Sequence, residues 1–144
     1  PLPPEIDPNM VNPDDLPRSY LINGWNDYFQ TRLNEEQFEA FKQYHWTNGM
    51  PLNFPTRPDT TIAFAEKETE STEVHMDFFQ NPHDELSGVE QQRHRMKLRG
   101  VSEPVSNYSF LDGSVRPLAP GKSIAPENLW AATEEWRRIP ELIR

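Results

Sequence analysis

The chain contains no cysteine, so disulfides, thiolate metal sites and a thiol nucleophile are all excluded. It also lacks any apolar run near the roughly 18 residues a membrane-spanning helix needs. Cations are in the minority: 14 Lys and Arg stand against 23 Asp and Glu, a formal charge of −9. A phosphate-tracking surface would need strongly segregated basic residues, so no nucleic acid is expected as a partner. His45, His75, His83 and His94 form no HExxH pair or other metal-ligand spacing, and there is no Gly-x-Ser-x-Gly elbow, P-loop or Gly-x-Gly-x-x-Gly turn. The usual sequence grounds for an enzyme are therefore missing. Pro1 to Glu5 has neither the basic start nor the apolar core of a signal peptide, and the 144 residues read as soluble.

What is present supports one modest core: 35% hydrophobic and 11% aromatic residues over 144 positions. Fifteen prolines predict loops and short elements rather than long helices. Six of them fall in residues 1–17, which read as an extended arm ahead of a single globular domain over 18–144.

The strongest local signal is Ser106 to Leu118. Asp112-Gly113 favours positive φ at both corners of a type I′ turn, and Tyr108, Phe110, Leu111 and Val115 are strand-friendly, which predicts a tight β-hairpin. Upstream, Arg18 to Trp25 predicts a buried strand closed by Asn23-Gly24, with Asn26 to Phe29 continuing as a loop. Asn34 and Gln37 make a capping box, with Leu33 stapling onto Phe38, for a helix running to about Tyr44. Thr60 to Glu66 predicts a strand with Ile62 and Phe64 inward. After a polar turn over Lys67 to Glu73, Val74 to Phe78 reads as its returning hairpin strand. Arg93, Arg95, Lys97 and Arg99 form a basic cluster, read as a solvated loop or short helix before a specific anionic contact is invoked. Pro126 suits a first helical position, and Leu129, Ala132, Thr133 and Trp136 follow at helical spacing until Pro140.

Candidate chemistry is sparse. His83-Asp84-Glu85 is a compact donor set for a divalent ion, but acidic surface loops commonly carry such triplets. Asp112 is accounted for by left-handed tolerance and local hydrogen bonding at a hairpin corner rather than as a catalytic acid. Trp25, Trp46, Trp130 and Trp136 could form a sugar platform, although large apolar area and an indole N–H favour core or subunit interface. A carbohydrate-binding or adhesive module would show a row of exposed aromatic rings. A metal-dependent hydrolase would bring His75, His83 or His94 together with carboxylates around a cleft.

The run Asn107-Tyr108-x-Phe110-x-Asp112-Gly113-x-Val115 resembles the C-terminal signature of bacterial prepilin-like proteins, relatives of type IV pilins and type II secretion pseudopilins, named for a histidine ahead of an Asp-Gly pair. Arg18 to Trp25 is similar to the family's Ser-Tyr-x-x-Asn segment, Pro58 to Glu66 to its proline-then-strand step, Arg93-His94 to its histidine, and Asn128 to Arg137 to its tail. Seventeen residues separate His94 from Asp112, more than the family pattern has, so Lys97 to Val105 reads as an inserted loop. The resemblance implies an α+β fold: a small antiparallel sheet with two short helices, forming a pilin-like headgroup. It implies a non-enzymatic filament subunit in the periplasm or at the cell surface, with His94, Asn107, Tyr108, Phe110, Asp112 and Gly113 as structural signature residues. Neither catalytic residues nor a required cofactor is implied, although resemblance to major pseudopilins makes a structural Ca²⁺ loop conceivable, with the acidic stretches as oxygen donors. The implied partners are other pilin or pseudopilin subunits or a separate hydrophobic helix. The family's long N-terminal hydrophobic helix, its only membrane element, is not among these 144 residues, so a longer protein or another chain is expected to supply it. An apolar sheet face should then lie uncovered beside the Asp112-Gly113 hairpin.

Overall fold

A short apolar strand needs a neighbouring strand and a cover on at least one face, and here the partners come from distant parts of the chain. The computed structural model describes residues 18–43, 45–76, 86–98 and 100–138. In chain order the elements are β1 (Tyr20–Asn23), α1 (Asn26–Arg32), α2 (Glu35–Lys42), β2 (Ile62–Glu66), β3 (His75–Met76), β4 (His94–Leu98), β5 (Val101–Phe110), β6 (Val115–Leu118) and α3 (Glu134–Arg137). The fold is α+β, with a sheet ordered β3-β1-β2-β5-β4 and β6 also paired to β5. The Pro-rich arm, Tyr44, Asp77, Phe78, the His83-Asp84-Glu85 triplet and Pro140 lie outside the described residues.

Several elements differ from expectation, each for a definable reason. The sheet is mixed, because β3 runs parallel to β1, pairing Ile22 with His75 and Asn23 with Met76, while the other strand pairs are antiparallel. It does not return along β2, since β1 and β5 already occupy both edges of β2. Asn26 to Phe29 is helical: Trp25 takes a left-handed φ of 54°, and the turn it makes starts α1. The expected C-terminal helix contracts to the four residues of α3. Upstream of it the backbone bonds elsewhere: Leu129 N–H donates to Ser123 O, Asn128 N–H to Arg137 O, and Trp130 N–H to the Asn128 side chain. Arg95 and Lys97 of the basic cluster lie on a strand, β4, and Arg99 lies outside the described residues; Lys97 and Leu98 pair with Ser102 and Val101, and β5 runs on through Val105, so the segment is paired strand rather than an inserted loop.

The α2 start forms as expected. Gln37 N–H donates to Asn34 Oδ1 at 2.9 Å, and Asn34 N–H to Gln37 Oε1 at 3.1 Å. Phe41 of α2 stacks on buried Phe29 of α1 with ring centroids 4.1 Å apart.

The core gathers Leu21, Ile62, Ala65, Met76, Val89, Tyr108, Phe110, Ile124, Trp130 and Ala131 against one face of the sheet. Asn23 fastens it: its side-chain amide donates to Ile62 O and Trp130 O, both at 2.7 Å, joining β1 to β2 and to the C-terminal segment. Buried Asp27 accepts from Thr133 N–H at 2.7 Å and from its hydroxyl at 2.9 Å, which fixes α1 to the same segment. Desolvation raises the Asp27 carboxyl above its ordinary value, and the Thr133 hydrogen bonds only partly oppose it.

Candidate functional site

Side chains alternate across a strand, so register decides which face each residue occupies. In the β2–β5 ladder Ile62 faces Phe110 but Phe64 faces Ser109, so two steps along β2 match one along β5. This bulge reverses the alternation and turns Phe64 away from the core, contrary to the inward direction its sequence predicts. Phe64 also pairs with Ile22, and Ser109 with Val115. Ile22, Phe64, Ser109 and Val115 thus form a row across β1, β2, β5 and β6 on the outer face.

The same face continues along β5 through Asn107, Val105, Glu103 and Val101, with Met96 opposite Glu103. Six large hydrophobic side chains are exposed among the described residues, and five of them stand here: Tyr20 (58%), Phe64 (44%), Met96, Val101 and Val115. Leu52 is the sixth, in a loop. Arg18, Ser19, Tyr20, Ile22, Phe64 and Ser109 line a groove of about 590 Å³ in this surface. From Val101 to Ser109 the face runs about 27 Å at roughly 3.4 Å per residue.

Glu66 organises the middle of this face and had no place in the sequence reading. Its Oε1 lies 2.8 Å from His94 Nε2, and its Oε2 accepts the Asn107 N–H at 2.8 Å. Asn107 pairs with Pro117, which has no N–H to exchange, so the Asn107 amide points away from β6 and toward Glu66. One carboxylate thereby closes the joint between the end of β2 and the start of β4. The only sequence signal was a lone Glu ending the apolar run Ile62-Ala63-Phe64-Ala65.

The other signature residues are structural. Tyr108 is buried, edge-on to Trp130 with centroids 6.3 Å apart, and burial raises its hydroxyl pKa. Phe110 is buried in the core with the Arg116 guanidinium 3.6 Å from its ring centre. The Asp112-Gly113 hairpin forms, but not as a type I′ turn. Only Gly113 has positive φ, at 84°, while Gly113 N–H donates to Phe110 O and Phe110 N–H to Ser114 O. That is a three-residue loop with glycine in the left-handed bulge position. Asp112 holds it by accepting from the Ser114 hydroxyl at 2.7 Å and the Ser114 N–H at 2.9 Å, bonds that lower its pKa.

Sites for the competing functions are weaker. Among the described residues no group of three or more His, Asp and Glu is placed to hold a metal ion. His75 lies on β3 and His94 on β4, and His45 is exposed in a loop. Trp130 is fully buried and Trp25, Trp46 and Trp136 are half-buried, so the indoles form no exposed row. A second cleft of about 580 Å³ lies between the end of α1, the loop at Pro51–Thr56 and residues 132–134. Within it the Thr56 hydroxyl donates to Glu134 at 3.2 Å and the Arg32 guanidinium lies over the Phe54 ring at 5.0 Å. Among the described residues no helix is long and apolar enough to cross a membrane. Compared with protein families, curated proteins and solved structures, the chain matches none.

Proposed function

We propose that this chain is the globular headgroup of a pilus or pseudopilus-type filament subunit, acting through assembly, secretion or surface display rather than turnover. The carrying observation is the outer sheet face, where five of the six exposed large hydrophobics among the described residues gather opposite the packed core. A sheet that gathers exposed large apolar side chains on its second face, around a polar centre at Glu66, calls for a cover there as well. The run of about 27 Å corresponds to roughly 18 residues of α-helix at 1.5 Å per residue. The occupant this reading assigns is an apolar helix, from a longer form of the protein or from a separate chain. In that setting His94 and Asn107 tie the sheet through Glu66, Tyr108 and Phe110 build the core, and Asp112 and Gly113 shape the hairpin. A periplasmic or cell-surface location belongs to the same proposal.

The test is an NMR titration of the ¹⁵N-labelled 144-residue chain with a Leu/Ala-based helical peptide of about 18 residues. Shifts confined to the amides of Tyr20, Ile22, Phe64, Ser109 and Val101 are expected. Unmoved outer-face amides would sink the reading. Shifts at Tyr20 and Phe64 with oligosaccharides, and none with the peptide, would replace it with the adhesive module.

A further inference from the structure

The β4–β5 hairpin is a two-stranded ribbon exposed on both faces. His94 to Lys97 and Val101 to Glu103 are all exposed, and among the described residues β4 pairs with β5 alone. Such a ribbon is only marginally stable without a surface to lie on. Its two faces differ in chemistry. Met96 and Val101 belong to the apolar outer face, whereas Arg95 pairs with Pro104 and Lys97 with Ser102 on the opposite side. That opposite side continues the core face of β5 beyond the point where the core ends.

Charge is divided sharply about this ribbon. Residues 93–104 carry Arg93, Arg95, Lys97 and Arg99 against Glu103 alone, so the net −9 separates into +3 here and −12 over the rest of the chain. Arg93 is engaged at the ribbon base, donating to Lys67 O at 2.9 Å and lying 3.7 Å from Glu90. Arg95 and Lys97 have no ion-pair partner among the described residues. A matching acidic row lies on α2, where Glu35 and Glu39 are exposed one turn apart; Lys42 lies 2.5 Å from Glu39, a surface pair that a competing cation can displace, and does not reach Glu35 in any ion pair among the described residues. Two residues along a strand span about 6.8 Å and four along a helix about 6 Å, so the rows agree in spacing.

We propose that the basic face of the β4–β5 ribbon docks on the acidic α2 face of a second copy of this chain. The contact joins two different patches, so it propagates head to tail rather than closing into a symmetric dimer. It rests on the filament reading for its setting and names the contact between neighbouring headgroups. The opposed charges supply steering and register rather than bulk affinity.

Sedimentation velocity of the 144-residue chain at about 20 mM and about 500 mM salt is the experiment, since screening weakens a charge-driven contact and spares an apolar one. Self-association at low salt, lost at high salt, is expected. Arg95→Glu/Lys97→Glu should weaken it about tenfold or more, and Glu35→Lys/Glu39→Lys should do the same. Mixing the two variants should restore association, because each then offers the patch the other lacks. Circular dichroism checks that both variants remain folded. A wild-type chain that stays monomeric at low salt up to about 1 mM overturns the proposal. So does association that both variants retain, and heparin binding by a monomer would reassign the ribbon to another polyanion. Peptide titration of the same variants separates the two readings. Lost self-association with peptide binding intact is expected of the variants. Missing wild-type self-association with intact peptide binding sinks only the ribbon contact, while the reverse sinks only the helix-bearing headgroup.

Discussion

Along β5 the two faces of the sheet can be compared residue by residue. Ser106, Tyr108 and Phe110 point into the core and are almost wholly buried; on the opposite face Val101 and Glu103 are exposed, Asn107 and Ser109 half-exposed, and Val105 alone is buried. Both faces carry large apolar side chains, yet only one has residues 121–137 packed over it. The difference lies in cover rather than in composition. An apolar side chain stabilises the fold only where a neighbour removes it from water, at about 25 cal/mol per Å². The outer-face residues contribute little of this kind to the chain by itself, so their expected contribution lies in association.

The largest test of that contrast is Trp130→Ala, which empties the centre of the covered face. It should cost about 3–5 kcal/mol in a denaturant titration. Asn23→Ala comes next, because it strips the donor from two buried carbonyls, and a loss of about 2–3 kcal/mol is expected from the same measurement. Phe64→Thr probes the open face: stability should change by no more than about 1 kcal/mol, with helical-peptide binding lost in the titration described above. A large destabilisation by Phe64→Thr would collapse the distinction between the faces.

The smallest expected effect concerns pH at the edge of the core. Burial holds Asp27 above its ordinary 3.8, so the folded chain binds that proton more tightly than the unfolded chain. Its contribution to stability is therefore fullest below 3.8 and is lost as pH rises through the folded value. Glu127, held low by Arg57, has the opposite sign and loses its contribution as pH falls. The melting temperature of Asp27→Asn relative to wild type should thus rise between pH 4 and pH 7. A constant difference would mean that Asp27 titrates alike in both states.

The sequence made local features legible and left long-range ones hidden. The capping box at Asn34 and Gln37 needs only four consecutive residues, and it forms as expected. The Asp112-Gly113 hairpin was visible too, but its turn type depends on where the flanking strands pair. The direction of Phe64 could not be read, because it turns on a bulge that exists only in the β2–β5 register. β4 was hidden because a ribbon with two exposed faces has no buried stripe to give it a period. Residues 126–133 have helical spacing, yet their backbone groups find tertiary partners instead. Of the candidate site, His94 and Asn107 stood out, but Glu66, which joins them, did not. Its partners lie 28 and 41 residues away.

The Asn23 amide has a consequence for how the chain comes to be folded. Its two acceptors are 39 and 107 residues downstream, the second in the last tenth or so of the 144 residues. During synthesis from the N-terminus, the Asn23 amide stays bonded to water until Trp130 has emerged. Contacts this far apart in sequence slow folding, because the loop between them must close first. The native sheet therefore closes only once Trp130 is available, and the chain must extend 107 residues beyond Asn23 before β1 gains its last acceptor.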